Sequence, residues 1–233
     1  MNAIVTGATK GMGRAIVMEL AANNYNIIFC ARDENEVQAL QDELRKSYHS
    51  LQFFGMRADM EDSTGLRKFA EFAESSLGHV DVLINNAGLY IPSGIMEEDE
   101  RCLERQMQVN FFAPHFLSKF FAAKMIGKGK GHIINICSTA SLEPVSRAGS
   151  YSISKMALFG LTKALREELR PAGVKVTAVL PGSTLTDSWT GTSLPSDWFI
   201  LSEDIAKTIM NCLQMSSGAN IDEIIIRPLY GKT

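Results

Sequence analysis

The residues Thr6-Gly7-Ala8-Thr9-Lys10-Gly11-Met12-Gly13 form a glycine-rich turn between a short β-branched run and a helical pattern. The helical pattern begins directly after the turn, where Ile16, Val17 and Leu20 have the spacing of one helix face. Glycines permit positive φ angles and a close backbone approach, and free amides at a helix start attract a phosphate. The spacing is G-x-x-x-G-x-G rather than the commoner G-x-G-x-x-G, so this motif alone leaves open an ordinary tight turn.

Outward from this turn, short β-branched runs alternate with helical patterns along the whole chain. Strands are predicted at residues 3–5, 26–30, 52–56, 82–85, 132–137, 175–180 and 223–226. Helices are predicted at residues 11–22, 34–46, 63–76, 100–109, 111–124, 151–170 and 204–214. This alternation predicts an α/β fold: one Rossmann-type domain over residues 1–233, with a doubly wound parallel sheet of seven strands and helices on both faces. Ligands are then expected at the carboxyl ends of the strands.

The composition excludes several classes of protein. A net charge of -3 and a pI near 5.9 provide no field that would gather nucleic acid or an anionic membrane. The four cysteines and four histidines have no metal-ligand or disulfide spacing, so no metal is expected. No secretory signal is expected, and no apolar run reaches the roughly 18 residues of a membrane span. We therefore expect a soluble cytoplasmic protein.

Tyr151 and Lys155 lie four residues apart at the start of a long helical pattern, so their side chains project from one face. A nearby ammonium lowers the pKa of a phenol from about 10, so that the phenol can exchange a proton with an alkoxide near neutral pH. An isolated pair of this kind is more often an interfacial tyrosine and a solvated lysine. The context favours catalysis here, because the predicted strand 132–137 runs into Ser138 at the ligand edge of the sheet.

Asparagines provide the remaining polar candidates. The fourth predicted strand runs into Asn85, Asn86, Ala87 and Gly88, and Asn110 follows in a helical segment. Pro114 is expected to kink that segment. An asparagine inside a helix usually faces solvent or bonds to its own backbone, but this setting favours a functional role.

Taken together, these motifs resemble the short-chain dehydrogenase/reductase family, in its branch with a Tyr-x-x-x-Lys site. The resemblance spans essentially the whole chain and implies that the seven strands of the sheet lie in the order 3-2-1-4-5-6-7. Its elements are T-G-x-x-x-G-x-G at residues 6–13, N-N-A-G at residues 85–88, P-G at Pro181 and Gly182, and an active-site tetrad of Asn110, Ser138, Tyr151 and Lys155. Each element is modestly specific, and their common order makes a chance occurrence hard to credit.

The resemblance implies a role for each member of the tetrad. Tyr151 would be the general acid/base, and Lys155 would lower its pKa and hold the nicotinamide ribose. Ser138 would orient the substrate carbonyl, and Asn110 would position a water that links Lys155 to solvent. Thr186 would contact the nicotinamide carboxamide, although the run 183–186 is unusual for the family. The hydride itself would come from the cofactor.

The residues around the second strand indicate which nicotinamide cofactor binds. Ala31 stands where a carboxylate would select NAD(H), while Arg32 and Lys10 could both meet a 2′-phosphate. NADP(H) is therefore preferred and NAD(H) is possible. Asp33 lies twenty residues after Gly13, which fits an NAD-selecting carboxylate, but we expect it to cap the next helix. The residues expected to contact the cofactor are Gly7, Thr9, Lys10, Gly11, Met12, Gly13, Arg32, Asp59, Met60, Asn86, Ala87, Gly88, Tyr151, Lys155, Pro181, Gly182, Thr184 and Thr186.

The sequence thus predicts an NADP(H)-dependent oxidoreductase that reversibly reduces a ketone or aldehyde to an alcohol. The alternatives are a non-catalytic NADP(H)-binding sensor of the same fold and an NAD-dependent alcohol dehydrogenase. Residues 187–203 lack periodicity, and they are interpreted either as a mobile substrate-binding loop or as a packed surface loop. The substrate is a small carbonyl or alcohol that stays unidentified.

Family resemblance also implies a homodimer or homotetramer formed through the helical segments 111–124 and 151–170. Phe111, Phe112, Phe116, Phe120 and Phe121 give the first segment more apolar surface than one stripe needs. The alternative is that these phenylalanines fill only the core of one chain.

Overall fold

A computed structural model of the chain describes residues 1–186, 189 and 191–230. Its seven-stranded sheet has the order β3-β2-β1-β4-β5-β6-β7, and all neighbouring strands are parallel. The strands are β1 (Asn2–Thr6), β2 (Asn26–Ala31), β3 (Phe53–Arg57), β4 (Val82–Asn85), β5 (Gly131–Ile136), β6 (Val174–Pro181) and β7 (Glu223–Ile226). The predicted fold, strand order and all seven predicted strands are confirmed, with strand ends that agree to within one residue.

Helices cover both faces of the sheet, because its central strands are apolar on both sides. One face packs against α1 (Gly11–Ala22), α2 (Glu34–Ser47) and α7 (Ser202–Leu213). The other face packs against α3 (Ser63–Leu77), α5 (Ala113–Lys128) and α6 (Gly149–Leu169). The sheet therefore lies in the middle of a three-layer core, with its strand ends open at one edge.

The polypeptide crosses from one half of the sheet to the other between β3 and β4. Since β1 pairs with β2 on one side and β4 on the other, the carboxyl ends of β1 and β4 lie side by side where the strand order reverses. Ligand crevices in open parallel sheets form at this position. The loops at residues 7–13 and 86–90 are thereby brought together.

The helix that carries Asn110 is interrupted. A short helix, α4 (Cys102–Met107), is followed by a π-helical turn (Gln108–Phe112) and then by α5. Pro114, near the start of α5, cannot donate the backbone hydrogen bond of a continuous α-helix, which accounts for the break. The expected irregularity at Pro114 is confirmed, and it takes the form of a π-helical turn.

The segment 187–203 is partly described. Leu185 N donates to Ile200 O at 2.8 Å, Ile200 N donates to Ser183 O at 2.9 Å, and Phe199 and Ile200 are buried. Phe199 and Ile200 are thus packed, whereas the described residues 191–198 are exposed, and both interpretations of the segment stay predictions. Residues 187, 188 and 190 lie outside the described residues, so the interpretation of a mobile loop stays a prediction for that part.

Candidate active site

A cavity of about 590 Å³ opens at the carboxyl ends of the strands. It is lined by the glycine-rich turn, by residues 30–33, 58–61 and 86–90, and by Glu36, Val109, Cys137, Tyr151, Lys155 and Thr186. The cavity reaches from the end of β3 to the start of α6. It therefore brings the predicted phosphate loop and the predicted proton-transfer residues to one site.

The glycine-rich turn is held in a form that only glycine allows. Gly7 and Gly11 have φ angles of 64° and 49°, in the left-handed region. A side chain on Gly13 would place its Cβ 2.0 Å from the carbonyl oxygen of Gly7. The absence of side chains keeps the backbone of this turn open toward the cavity, at the amino end of α1.

Asn86 fastens this turn to the neighbouring strand. Its Nδ2 donates to the carbonyl oxygens of Thr6 and Gly7, both at 2.9 Å. In return, Thr6 Oγ1 accepts from the backbone N–H groups of Asn86 and Ala87 at 3.1 and 3.0 Å. The N-N-A-G motif is thus the support of the phosphate loop, and Asn86, Ala87 and Gly88 also line the cavity.

Tyr151 and Lys155 project from the first turns of α6 into the cavity. Lys155 is buried, its Nζ donates to Ile136 O at 2.8 Å, and it lies 5.9 Å from the Tyr151 ring centre. A second aromatic ring, Tyr90, meets Tyr151 edge to face at 4.9 Å. The β5 carbonyl and the Tyr90 ring therefore fix the orientation of both side chains.

Burial controls the acidity of this pair. It raises the pKa of Tyr151 to about 12, although the Ser138 side chain, by hydrogen bonding to the phenol, lowers that pKa in part. Burial also lowers the pKa of Lys155 to about 8. The sequence predicts that Lys155 lowers the pKa of Tyr151, whereas here its ammonium points to Ile136 O and burial dominates. The phenol consequently holds its proton at neutral pH.

Ser138 follows β5 and begins a short 3₁₀ helix (Thr139–Ser141). Its Oγ accepts from Ala140 N at 3.1 Å, and its backbone N–H donates to Ser141 Oγ at 3.3 Å. Ser141 Oγ in turn donates to the backbone carbonyl of Lys155 at 2.9 Å. Ser138 is thereby fixed against the Tyr151 helix, although it is not among the described residues that line the cavity, and its role in the tetrad stays a prediction.

Asn110 is fully buried on the π-helical turn. Its Oδ1 accepts from Leu89 N at 2.8 Å, and its Nδ2 donates to Leu89 O at 2.9 Å and to Ser154 Oγ at 2.8 Å. All three contacts are to protein atoms, so the side chain joins the loop after β4 to α6. A Cβ on Gly88 would lie 3.5 Å from Asn110 Oδ1 and 3.6 Å from Lys155 Nζ, which places both groups beside Gly88.

The opposite end of the cavity carries charges of both signs. Arg32, Asp59 and Met60 line it, and their contact with a cofactor stays a prediction. Asp59 Oδ1 accepts from Glu61 N at 3.0 Å. Asp33 caps α2 by accepting from Glu36 N at 3.1 Å, so its carboxylate serves the helix as expected. Lys10 forms an ion pair with Glu36.

The residues after β6 lie at different distances from the cavity. Thr186 lines the cavity and faces Gly11, since a Cβ added to Gly11 would lie 3.0 Å from Thr186 Cγ2. In the described part of the lining, Pro181, Gly182 and Thr184 are not present. Gly182 N donates to Ile226 O at 2.8 Å, and Thr184 Oγ1 donates to Gly182 O at 3.0 Å. Their contact with a cofactor stays a prediction.

Among the lining residues that sequence reasoning does not predict, three are acidic or aromatic. Glu36 and Glu61 belong to helix and loop segments with no motif, and Tyr90 follows N-N-A-G at a position that the motif leaves open. Periodicity places Glu36 in the first turn of α2, but only the packing of α2 beside the phosphate loop directs it toward Lys10. No pattern in the sequence carries that information.

The described residues show no metal centre and no membrane helix. Within residues 1–186, 189 and 191–230, no three His, Cys, Asp or Glu side chains form a metal-binding group. No helix in the same ranges has the length and apolar character to span a membrane.

Comparison with known proteins agrees with this geometry. Residues 1–195 match the protein family described as short chain dehydrogenase. An uncharacterised oxidoreductase of Staphylococcus saprophyticus is 29% identical over 230 residues, which cover 97% of each chain. The (S)-acetoin-forming diacetyl reductase of Staphylococcus epidermidis is 32% identical over 189 residues, 81% of this chain and 73% of that protein. A solved metagenomic short-chain oxidoreductase in complex with NADP is 30% identical, with a TM-score of 0.85 over 98% of this chain and 96% of that one.

The fold and the site thus define a class of oxidoreductases that act on carbonyl and alcohol substrates. This chain belongs to the short-chain dehydrogenase family.

Proposed function

We propose that this protein is an NADP(H)-dependent reductase that converts a small ketone or aldehyde into the alcohol, with Tyr151 as the proton donor. The observation that carries the proposal is that Tyr151 and Lys155 line the same cavity as the glycine-rich turn, with the Ser138 side chain hydrogen-bonded to the Tyr151 phenol. A related protein of known structure binds NADP, and a relative in Staphylococcus epidermidis reduces diacetyl.

The residues present fit a nicotinamide dinucleotide. The turn at residues 7–13 exposes backbone at the amino end of α1, and a Cβ on Gly7 or Gly13 would collide with neighbouring backbone. Such a turn suits a pyrophosphate. Arg32, Asp59 and Met60 would hold the adenosine end, and Thr186 and Lys155 the nicotinamide end. When bound, the cofactor would supply the hydride.

The chain itself supplies orientation and a proton. The Ser138 hydroxyl would donate to the substrate oxygen and direct the carbonyl toward the nicotinamide end of the cavity. The Tyr151 hydroxyl would then give its proton to the same oxygen as negative charge develops there. The buried Lys155, whose Nζ lies 5.9 Å from the centre of the Tyr151 ring, would hold the nicotinamide ribose beside the phenol.

The pKa values favour the direction of reduction at neutral pH. Burial raises the pKa of Tyr151 to about 12, so the phenol carries the proton that reduction requires. Alcohol oxidation needs the phenolate, which is scarce at pH 7 and becomes more abundant as the pH rises. Oxidation is therefore expected to gain rate with increasing pH, while reduction does not depend on loss of this proton.

The test is a Tyr151→Phe variant assayed with NADPH and a carbonyl panel that begins with diacetyl. We expect turnover to fall by about 100-fold or more, which is the typical contribution of general acid catalysis, while NADPH still binds. Tyr48→Phe is a matched control, because Tyr48 packs against Phe53 and is not among the described residues that line the cavity. Wild-type turnover in the Tyr151→Phe protein would refute the mechanism.

The alternative of a non-catalytic NADP(H) sensor predicts a different result. Such a protein would bind NADPH tightly and consume none of it with any carbonyl of the panel. The buried Lys155 and the fixed Ser138 argue against this alternative, because a sensor needs neither.

The homodimer or homotetramer and the cytoplasmic location stay predictions. On α5 and the π-helical turn, Phe121 is fully buried while Phe112 is 49% exposed. Phe116 and Phe120 pack partly against the core. The phenylalanines therefore fill the core of one chain in part and leave Phe112 for a partner surface.

A further inference from the structure

Glu36 holds both polar side chains of the phosphate loop. Lys10 Nζ lies 2.5 Å from Glu36 Oε1, and Thr9 Oγ1 donates to Glu36 Oε2 at 3.0 Å. The same carboxylate lines the cavity and is about one-third exposed. One anion thus stands between the loop and the amino end of α2, where the adenosine end of a dinucleotide is proposed to lie.

The charges around Glu36 do not form a strongly positive pocket. In the described lining of this end, the cations are Lys10 and Arg32, and the carboxylates are Asp33, Glu36, Asp59 and Glu61. Arg32 also lies near enough to Glu61 to help lower its pKa, after the larger effect of Arg105. Each predicted phosphate-binding cation therefore already has a carboxylate neighbour.

We propose that Glu36 determines cofactor specificity by opposing the 2′-phosphate of NADP(H). The inference rests on the proposed nicotinamide-dependent function. A 2′-phosphate that reaches Lys10 must compete with the Glu36 carboxylate and come close to its negative charge. A ribose 2′-hydroxyl has no such conflict, since it can donate a hydrogen bond to the same carboxylate oxygen. Glu36 thereby lowers the preference for NADP(H) that Lys10 and Arg32 create.

The experiment is a titration of the purified full chain with NADPH and with NADH, in which binding is measured by the fluorescence of the nucleotide. Glu36→Gln keeps the size of the side chain and removes its charge. We expect this variant to bind NADPH about tenfold more tightly, as expected for one removed charge near a phosphate, and to bind NADH no more tightly than the wild type does. Calorimetry with 2′,5′-ADP and 5′-AMP should show the same contrast without the nicotinamide ring.

Glu43→Gln is the matched control. Glu43 lies on the same helix and pairs with Arg14 at 2.6 Å, and it is not among the described residues that line the cavity. Both nucleotides should bind to this variant as they do to the wild type. An equal change with Glu43→Gln would show that any lost carboxylate on α2 has the effect, and it would overturn the specific role of Glu36.

The outcomes separate this inference from the proposed function. If Glu36→Gln binds NADPH no more tightly than the wild type does, or gains as much affinity for NADH, the role of Glu36 is overturned. Turnover that depends on Tyr151 would still support the reductase in that case. A wild-type chain that binds neither nucleotide overturns both proposals. Selective tightening of NADPH and 2′,5′-ADP supports the inference.

Discussion

Replacing Gly13 with alanine should damage the cofactor site directly. The new Cβ would lie 2.0 Å from Gly7 O and 2.6 Å from Asn86 Nδ2, far inside normal contact distance. The turn must shift by about 1 Å to relieve this clash, because overpacked sites respond by moving the backbone. Such a shift destabilises the folded protein by about 1–3 kcal/mol. That shift also strains the two 2.9 Å bonds from Asn86 to Thr6 and Gly7, each worth about 1 kcal/mol.

The combined penalty is about 3–5 kcal/mol, divided between the free energy of unfolding and the affinity for NADPH. Urea unfolding measures the first quantity and a fluorescence titration the second, where we expect a loss of at least about tenfold. Gly127→Ala is the matched control, because that glycine lies in α5 with no neighbouring atom within 4 Å of the added Cβ. A Gly13→Ala protein that matches wild type in both measurements would refute this account of the turn.

Two further predictions concern stability and the adenosine end. Burial lowers the pKa of His132 from 6.5 to about 4, and its Nε2 donates to Thr177 Oγ1 at 2.8 Å. As the pH falls from about 6.5 to 4, the unfolded chain therefore binds a proton on His132 that the native state does not bind. The free energy of unfolding should fall by about 3 kcal/mol over this range, and the His132→Gln variant should not show this loss. Identical pH profiles in urea unfolding for both proteins would contradict this. Arg105 pairs with Glu61 at 2.8 Å beside the cavity, and Arg105→Gln should weaken NADPH binding only about two- to fivefold, as expected for a half-exposed pair. A much larger loss by titration would mean that Arg105 contacts the nucleotide itself.

Much of the fold could be predicted because parallel sheets leave a strong pattern. Strands buried on both faces read as short β-branched runs, and the fully buried β4 has the predicted ends. Helix ends were harder, since tertiary contacts decide them. The predicted helix 100–109 ends instead at Met107, where the π-helical turn begins, and α7 begins at Ser202 rather than at Asp204.

The candidate site was predictable where chemistry demands a particular residue at a particular spacing. Tyr151 and Lys155 share a helix face because they are four residues apart, and Asp33 caps α2 because a carboxylate there satisfies a free amide. The acidity of Tyr151 was not predictable in this way. It depends on the depth of burial and on the direction of the Lys155 ammonium, which the fold sets.

The sequence by itself determined the succession of strands and helices and the glycine turn, because local periodicity and residue type carry them, and it predicted the strand order and the tetrad through motifs that resemble a known family. Tertiary structure alone decided that Asn110 is hydrogen-bonded to Leu89 and Ser154, and that Glu36 reaches Lys10. Both results depend on segments that are distant in the sequence and become neighbours only when the helices pack on the sheet. Charge and hydrogen-bonding partners across such contacts leave no periodic signal in the chain.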